Sequence, residues 1–172
     1  MNDVALRPFR EEDLPVLDRF ATDPAVLGAH QWTGFTDPRV RRRRWAEDGY
    51  LGPHDSTLAV TADDVVAGLA SWEAADRGGP AGGCFEIGLT LLPDHRGRGI
   101  GLAAHRLLVA HLFSVTRAHR LEAFTDGGNA AEQKTLERAG FHREGVLREV
   151  TWRDGGWRDE VIYALFRPSA AS

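Results

Sequence analysis

Between Leu91 and Leu108 the chain reads LLPDHRGRGIGLAAHRLL. Pro93 stops an apolar run. Glycines then stand at alternate positions, Gly97, Gly99 and Gly101. Apolar residues next recur at helical spacing: Ile100, Ala103, Ala104, Leu107, Leu108, Leu112 and Val115. A strand, a turn free to take positive φ and a helix are therefore predicted in succession. A turn without side chains lets consecutive backbone N–H groups converge on an anion, and a helix start adds partial positive charge. Arg96 and Arg98, set between the glycines, offer charge-assisted bonds from the rim. The stretch predicts a phosphate-binding element inside an α/β protein.

The flanking sequence supplies the remaining elements. VALRPF (4–9) reads as a strand. Asp13 before Leu14-Pro15 reads as the N-cap and first-turn proline of a helix to about Phe20. Residues 38–50 form a second helical stretch. STLAVTA and VVAGLASWEA read as two strands turning at Asp63-Asp64, and ADRGGPAGG (75–83) as a loop. CFEIGLTLL (84–92) is the strand that Pro93 ends. LEAFT (121–125) is a strand, and Asn129 opens a helix to Arg138 that Gly140 terminates. FHREGVLREVTW and WRDEVIYALF flank Asp154-Gly155-Gly156 as a final hairpin. The expected architecture is α/β: a mixed, mostly antiparallel sheet of about seven strands with about four helices. It forms a single domain over 1–168 with a short polar tail at 169–172.

Composition narrows the function. The 172 residues, 42% hydrophobic, suffice for one sizeable core. A net charge of −4 argues against nucleic acid as the main partner. The single cysteine, Cys84, excludes an intramolecular disulfide and reads as a small buried hydrophobe. No apolar run approaches the roughly 20 residues of a membrane span, and the start lacks a signal-peptide layout. A cytoplasmic protein without a membrane partner is expected, as a monomer or homodimer. The seven histidines show no ligand spacing, so no metal is expected. RRRR at 41–44 reads as a solvated helix face, His95 and His105 as surface residues, and Trp32, Trp152 and Trp157 chiefly as core.

Three phosphate-binding patterns compete for the glycine stretch. A P-loop fails, because Leu89 stands where its lysine belongs after Gly83 and Gly88. A dinucleotide fingerprint matches G-x-G-x-x-A at Gly99, Gly101 and Ala104, with Glu122 at the distance of a ribose-binding acid. Against it, four residues separate the strand from the glycines, arginines crowd the turn, and the upstream chain reads as antiparallel. The third pattern, R-x-x-G-x-G over Arg96–Gly101, uses every residue.

This third pattern resembles the acyl-CoA-binding motif of the GCN5-related N-acetyltransferases (GNAT). NAAEQKTLERAGF (129–141) is similar to that family's second motif. The match is closer to the RimJ/RimL-type branch. Its hallmarks correspond to Leu6-Arg7-Pro8, Glu12-Asp13-Leu14, Glu86-Ile87-Gly88, Glu144-Gly145 and the run from Asp154 through Trp157 to Asp159. The resemblance implies a GNAT fold with a splayed parallel strand pair, acetyl-CoA as co-substrate and an amine acceptor. That acceptor is a protein N-terminus or a small molecule such as an antibiotic or amino sugar. It also implies cofactor contacts from Leu91, Leu92, Arg96, Gly97, Arg98, Gly99, Ile100, Gly101 and Asn129. Two positions depart from the family: Leu136 replaces the usual tyrosine, and Glu132 replaces the branch's serine. A non-catalytic acyl-CoA-binding module is therefore the competing expectation.

The chemistry is attack of a neutral amine on an acetyl thioester, which needs a base for a lysine-like amine and less help for an α-amine. Backbone N–H groups at the strand end would hold developing negative charge. Glu86, on the strand leading to the thioester between Phe85 and Ile87, is the first candidate base. Glu149 is the second, and Glu132 is a candidate acid at the sulfur. Tyr163 falls in alternation with Trp157, Asp159 and Leu165 and reads as core.

Overall fold

The computed structural model describes residues 3–77 and 82–168. Its elements run β1 (Val4–Arg7), α1 (Leu14–Thr22), α2 (Pro24–Leu27), α3 (Pro38–Asp48), β2 (Asp55–Ala62), β3 (Val65–Ala74) and β4 (Cys84–Leu91). They continue through α4 (Ile100–Val115), β5 (Arg120–Asp126), α5 (Ala130–Arg138), β6 (His142–Arg153) and β7 (Gly156–Phe166). The strands form one sheet in the order β1-β2-β3-β4-β5-β7-β6. Every pairing is antiparallel except β4 with β5. The expected mixed sheet of seven strands is present, with one helix more than expected. Part of the 75–83 loop, and the polar tail at 169–172, lie outside the described residues.

Strand alternation sorts the two faces. Val60, Ala70, Ile87, Leu121 and Ala123 point one way, onto Ile100, Ala104, Leu108 and Leu112 of α4 and Leu136 of α5. The helical spacing read in the sequence is the stripe by which α4 enters this main core. Ala59 and Val66 point the other way, into a smaller core with Leu14 and Leu17 of α1, Tyr50, and Trp45 of α3. The arginine run on α3 is half solvated: Arg42 pairs with Asp18 of α1, and Arg44 pairs with Asp55 while covering the Tyr50 ring.

The β4–β5 pairing sets the shape of the molecule. Its register holds for Cys84↔Arg120, Phe85↔Leu121 and Glu86↔Glu122, then stops. Beyond that rung the strands part. β4 stays paired to β3 up to Leu91, and β5 to β7 as far as Asp126. On the β3 side, a Cβ at Gly68 would stand 2.2 Å from the Thr90 carbonyl oxygen and 2.9 Å from the Leu91 Cα. Only glycine lets β3 come that close to the end of β4.

Four local expectations need correction. Asp13 does not cap α1. It ends a 3-10 turn over Glu11–Asp13, and its buried carboxylate turns back to accept bonds from Arg7 (2.6 and 3.1 Å) and the Arg10 N–H (2.8 Å). The turn competes for the same side chain, and a guanidinium is the stronger donor. His105 is 1% exposed rather than on the surface. Trp152 and Trp157 are not core: at 56% and 57% exposed they pack edge-on across the β6–β7 turn. The short helix α2 is a single turn, with Asp23 accepting from the Ala25 N–H and Pro24 at its first position, too brief to show periodicity.

Burial opposes ionisation of Asp13, but Arg7 and the Arg10 N–H outweigh it and hold the carboxyl below the ordinary carboxylate range. A depressed folded-state value means the stabilisation is present above the unfolded carboxylate range and lost as pH falls through the folded value. Asp13→Asn is expected to cost about 2 kcal/mol near neutral pH. The deficit should shrink as pH falls below about 4, read by denaturant unfolding across pH.

Candidate active site

The glycine turn joins the end of β4 to α4. A second 3-10 turn over Pro93–His95 leads into it. Gly97 and Gly99 have φ of 69° and 81°, and open space surrounds the position of a Cβ at either. Gly99 is the N-cap of α4, and its carbonyl accepts the Ala103 N–H at 3.2 Å. The amides of Ile100, Gly101 and Leu102 precede that bond and have no partner within the helix. A Cβ at Gly101 would lie 3.5 Å from Leu89 and 3.6 Å from Leu91, in ordinary van der Waals contact with β4.

These residues open onto a cleft of about 620 Å³. Leu89–Leu91 form one wall, and Asn129–Glu132 with Thr135 and Arg138 form the other. The stretch from Leu27 to Gln31 closes the top. Asn129 caps α5 by accepting the Glu132 N–H at 3.2 Å, which fixes this wall. The cleft therefore lies where β4 and β5 have parted, with two helix N-termini facing it. Convergent N–H groups, positive φ without side chains and a long gap between strands fit an extended ligand that carries a pyrophosphate along its length, as coenzyme A does.

The sequence-derived cofactor residues divide. Leu91, Arg96, Gly97, Gly99, Gly101 and Asn129 line the cleft. Arg96 is already engaged: its Nε donates to the Leu91 carbonyl at 2.9 Å and a terminal nitrogen donates to the Val26 carbonyl. Burial lowers the pKa of this guanidinium. Arg96 thus pins α2 to the turn; it and Arg98 are both exposed, and Arg98 donates to the Asp94 carbonyl at 3.3 Å. Leu92 and Ile100 face the interior. Leu92 packs with Phe20 and Val26 and donates its N–H to Ala67, while Ile100 joins the main core. Sequence reasoning missed Gly28, His30, Gln31 and Arg138. Of these only Gly28 left a trace, as the glycine closing the Asp23-Pro24 turn, at φ of 66°.

The three candidate carboxylates stand apart. Glu86 is at the last β4–β5 rung, on the face opposite α4, and lines a smaller cavity of about 270 Å³ with Arg44, Ser56, Ser71 and Glu73. Burial raises its pKa, reinforced by Glu73, Glu122 and Glu160. Glu132 is on the cleft wall, 2.7 Å from Nε2 of His105. Glu149 is exposed on an irregularity of β6, φ 54°, with its N–H donated to Asp159, and is not among the residues lining the cleft. Tyr163 is fully buried and its hydroxyl contacts Glu137 at 3.1 Å. Among the described residues no group of three His, Cys, Asp or Glu side chains is placed to hold a metal ion.

Residues 3–142 match the family model described as an acetyltransferase (GNAT) domain. The chain belongs to the GNAT acetyltransferase family. It is 38% identical over 111 residues to a probable N-acetyltransferase, YjcK, of Bacillus subtilis (strain 168), a match covering 64% of this chain. The chain spans 60% of the length of that relative. Among solved structures, RimL, a ribosomal L7/L12 alpha-N-protein acetyltransferase in complex with coenzyme A, superposes with a TM-score of 0.81 at 20% identity, covering 95% of this chain and 93% of its own. RimJ of Mycobacterium smegmatis, in complex with CoA-disulfide, superposes with a TM-score of 0.76 at 26% identity over 95% of this chain and 81% of its own. No helix of the described residues is long and apolar enough to cross a membrane.

Positive φ at Gly99 disfavours any other residue by about 1–2 kcal/mol. Gly99→Ala should therefore leave a folded protein whose turn no longer presents its amides. Titration with coenzyme A should show at least a tenfold loss of affinity while the far-ultraviolet spectrum is unchanged.

Proposed function

We propose that this chain transfers an acetyl group from acetyl-CoA to a primary amine. The observation that carries the reading is the coincidence of the glycine turn, the open N-terminus of α4 and the parting of β4 from β5 at one cleft. The turn amides and the α4 start would hold the pyrophosphate, and the free edge of β4 would pair with the pantetheine arm as an added strand. Arg98 would contribute charge from the rim, and Asn129 would contact the arm. Acetyl-CoA supplies the activated acetyl group.

Glu86 is the base in this reading. It stands at the vertex where the strands part, on the face opposite α4. Burial and three neighbouring carboxylates favour its protonated form, so it accepts a proton more readily than an ordinary carboxylate. The same face carries Glu73 and Glu160, which favours a cationic acceptor. Protein N-termini and small-molecule amines both satisfy that. An α-amine, ordinarily near 7.7–8.0, needs the least help from the base.

Thermal unfolding with acetyl-CoA, coenzyme A and NADH in parallel tests the donor. A ligand at about 100 times its Kd should add roughly 2.7 kcal/mol. Stabilisation by the two CoA ligands alone is expected. Stabilisation by NADH alone would return the site to dinucleotides. Thiol release over an amine panel then separates an enzyme from a binding module.

Glu86→Gln carries two opposite expectations. Turnover should fall about 10²–10⁴-fold. Stability should rise at neutral and higher pH, because the raised folded-state value makes ionised Glu86 a cost in the native state. That gain should vanish as pH falls through the folded value into the unfolded carboxylate range. Melting curves at several pH values check the sign.

A further inference from the structure

The gap between β4 and β5 is bounded at both ends. At one end stands the last rung, Glu86↔Glu122. At the other, the stretch that follows α2 crosses from strand to strand. The Thr90 hydroxyl of β4 donates to Oε1 of Gln31 at 3.2 Å. Nδ1 of His30 lies 3.2 Å from Oδ1 of Asp126, the last residue of β5. Consecutive residues of one segment are therefore fastened to opposite sides of the gap. Asp126 is a fixed post. Its other oxygen pairs with Arg153, and Oδ1 also accepts the Gly128 N–H at 2.8 Å.

The two feet of this segment are held, and its span is not. Upstream, Arg96 holds the Val26 carbonyl. Downstream, the Thr36 N–H donates to the Ala21 carbonyl at 3.0 Å. Between the feet stand Gly28 and Gly34, with φ of 66° and 121°. Glycine changes its backbone angles at little steric cost, so both positions can serve as hinges. Among the described residues, none of Ala29–Gly34 joins the three apolar cores. Trp32 packs edge-on against Phe35, itself 76% exposed, rather than against the sheet. Among the described residues, the bonds from His30 and Gln31 are the hydrogen bonds that tie the span to the sheet. Few buried contacts and two side-chain bonds give an element of low local stability.

The span also divides two spaces. Ala29, His30 and Gly128 line the cleft on one side and a cavity of about 790 Å³ on the other, beside Gln133, Trp157 and Asp159. With the span down, an extended arm can enter the cleft end-on only. With it raised, cleft and cavity join, and the arm can be laid in broadside.

We infer that Ala29–Gly34 is a strap, hinged at Gly28 and Gly34 and latched by His30–Asp126 and Gln31–Thr90, that opens to admit and release coenzyme A and closes over its arm. This rests on the reading of the cleft as the coenzyme A site and does not require acetyl transfer. Release of the spent cofactor then waits on the strap rather than on chemistry. A latch equally strong in free and loaded protein opposes entry and exit alike, so it sets rates and leaves affinity nearly unchanged.

Stopped-flow mixing of the full chain with a fluorescent etheno derivative of coenzyme A tests this. The double variant His30→Ala/Gln31→Ala should bind and release the probe about tenfold faster, with Kd within about threefold of wild type. Faster release with a matching loss of affinity would make the two side chains ligand contacts and overturn the inference. Unchanged rates would make the segment a static wall and overturn it as well. A second variant, Gln31→Cys/Thr90→Cys, decides even if the first fails to fold. Joining its two thiols with a short cleavable linker before the probe is added should slow entry by about 10²-fold or more. Joining them afterwards should retain the probe through gel filtration, and cleaving the linker should restore both rates. Entry and release at the rates of the unlinked variant would overturn the strap alone. Absence of probe binding to wild type would overturn the coenzyme A reading of the cleft together with the strap.

Discussion

The end of pairing between β4 and β5 after Glu86↔Glu122 is the constraint on which the rest of the molecule depends. A parallel pair ordinarily continues along its ladder, and leaving backbone groups unpaired inside a sheet is costly. Here each strand is held to its other neighbour instead. Gly68 draws β3 against the last residues of β4, while Asp159 of β7 accepts the Gly127 N–H just beyond β5 at 2.8 Å. Arg96 ties the carbonyl of Leu91 to that of Val26, so the end of β4 is also fixed to α2. The gap is a built feature, supported on both sides.

Charge on the face opposite α4 follows from the same geometry. Parallel register places Glu86 and Glu122 side by side, and the antiparallel β3–β4 register places Glu73 opposite Glu86. Glu122 is fully buried, and its ion pairs with Arg77 and Arg120 offset its desolvation. Arg120 also pairs with Glu144, the extra residue where β6 shifts register between Arg143 and Gly145. Glu144-Gly145 is thus a bulge that reaches two strands across the sheet. Among the described residues Glu86 makes no such ion pair; burial, with Glu73, Glu122 and Glu160 nearby, raises its pKa.

The residues most legible in the sequence were those whose conformation or cap is local. Gly97 and Gly99 announce a turn because no other residue takes that φ cheaply, and Asn129 announces a helix because its side chain bonds three residues on. Positions fixed by distant partners were not legible. Asp13 has the sequence context of a cap, yet Arg7 claims it. Arg96 has the sequence context of a phosphate ligand, and nothing local announces its bond to the Val26 carbonyl. His105 falls within the apolar periodicity of α4, but histidine alone does not say whether that face is buried. Glu149 sits on an irregularity of β6 that no alternation pattern discloses. The Leu27–Gln31 stretch closes the cleft from a single helical turn whose place is set by contacts remote in sequence.

Three rungs and a pair of helices join what are otherwise two separate half-sheets, β1–β4 and β5–β7. A pantetheine-like arm lying between them would contribute the missing backbone partners itself, so the small molecule would act as an eighth, removable strand. Cooperativity between the halves would then depend on occupancy. With the seam filled, amides of Ile87–Leu91 on one side and Ala123–Asp126 on the other would exchange hydrogen as one unit; with it empty, each half would open on its own account.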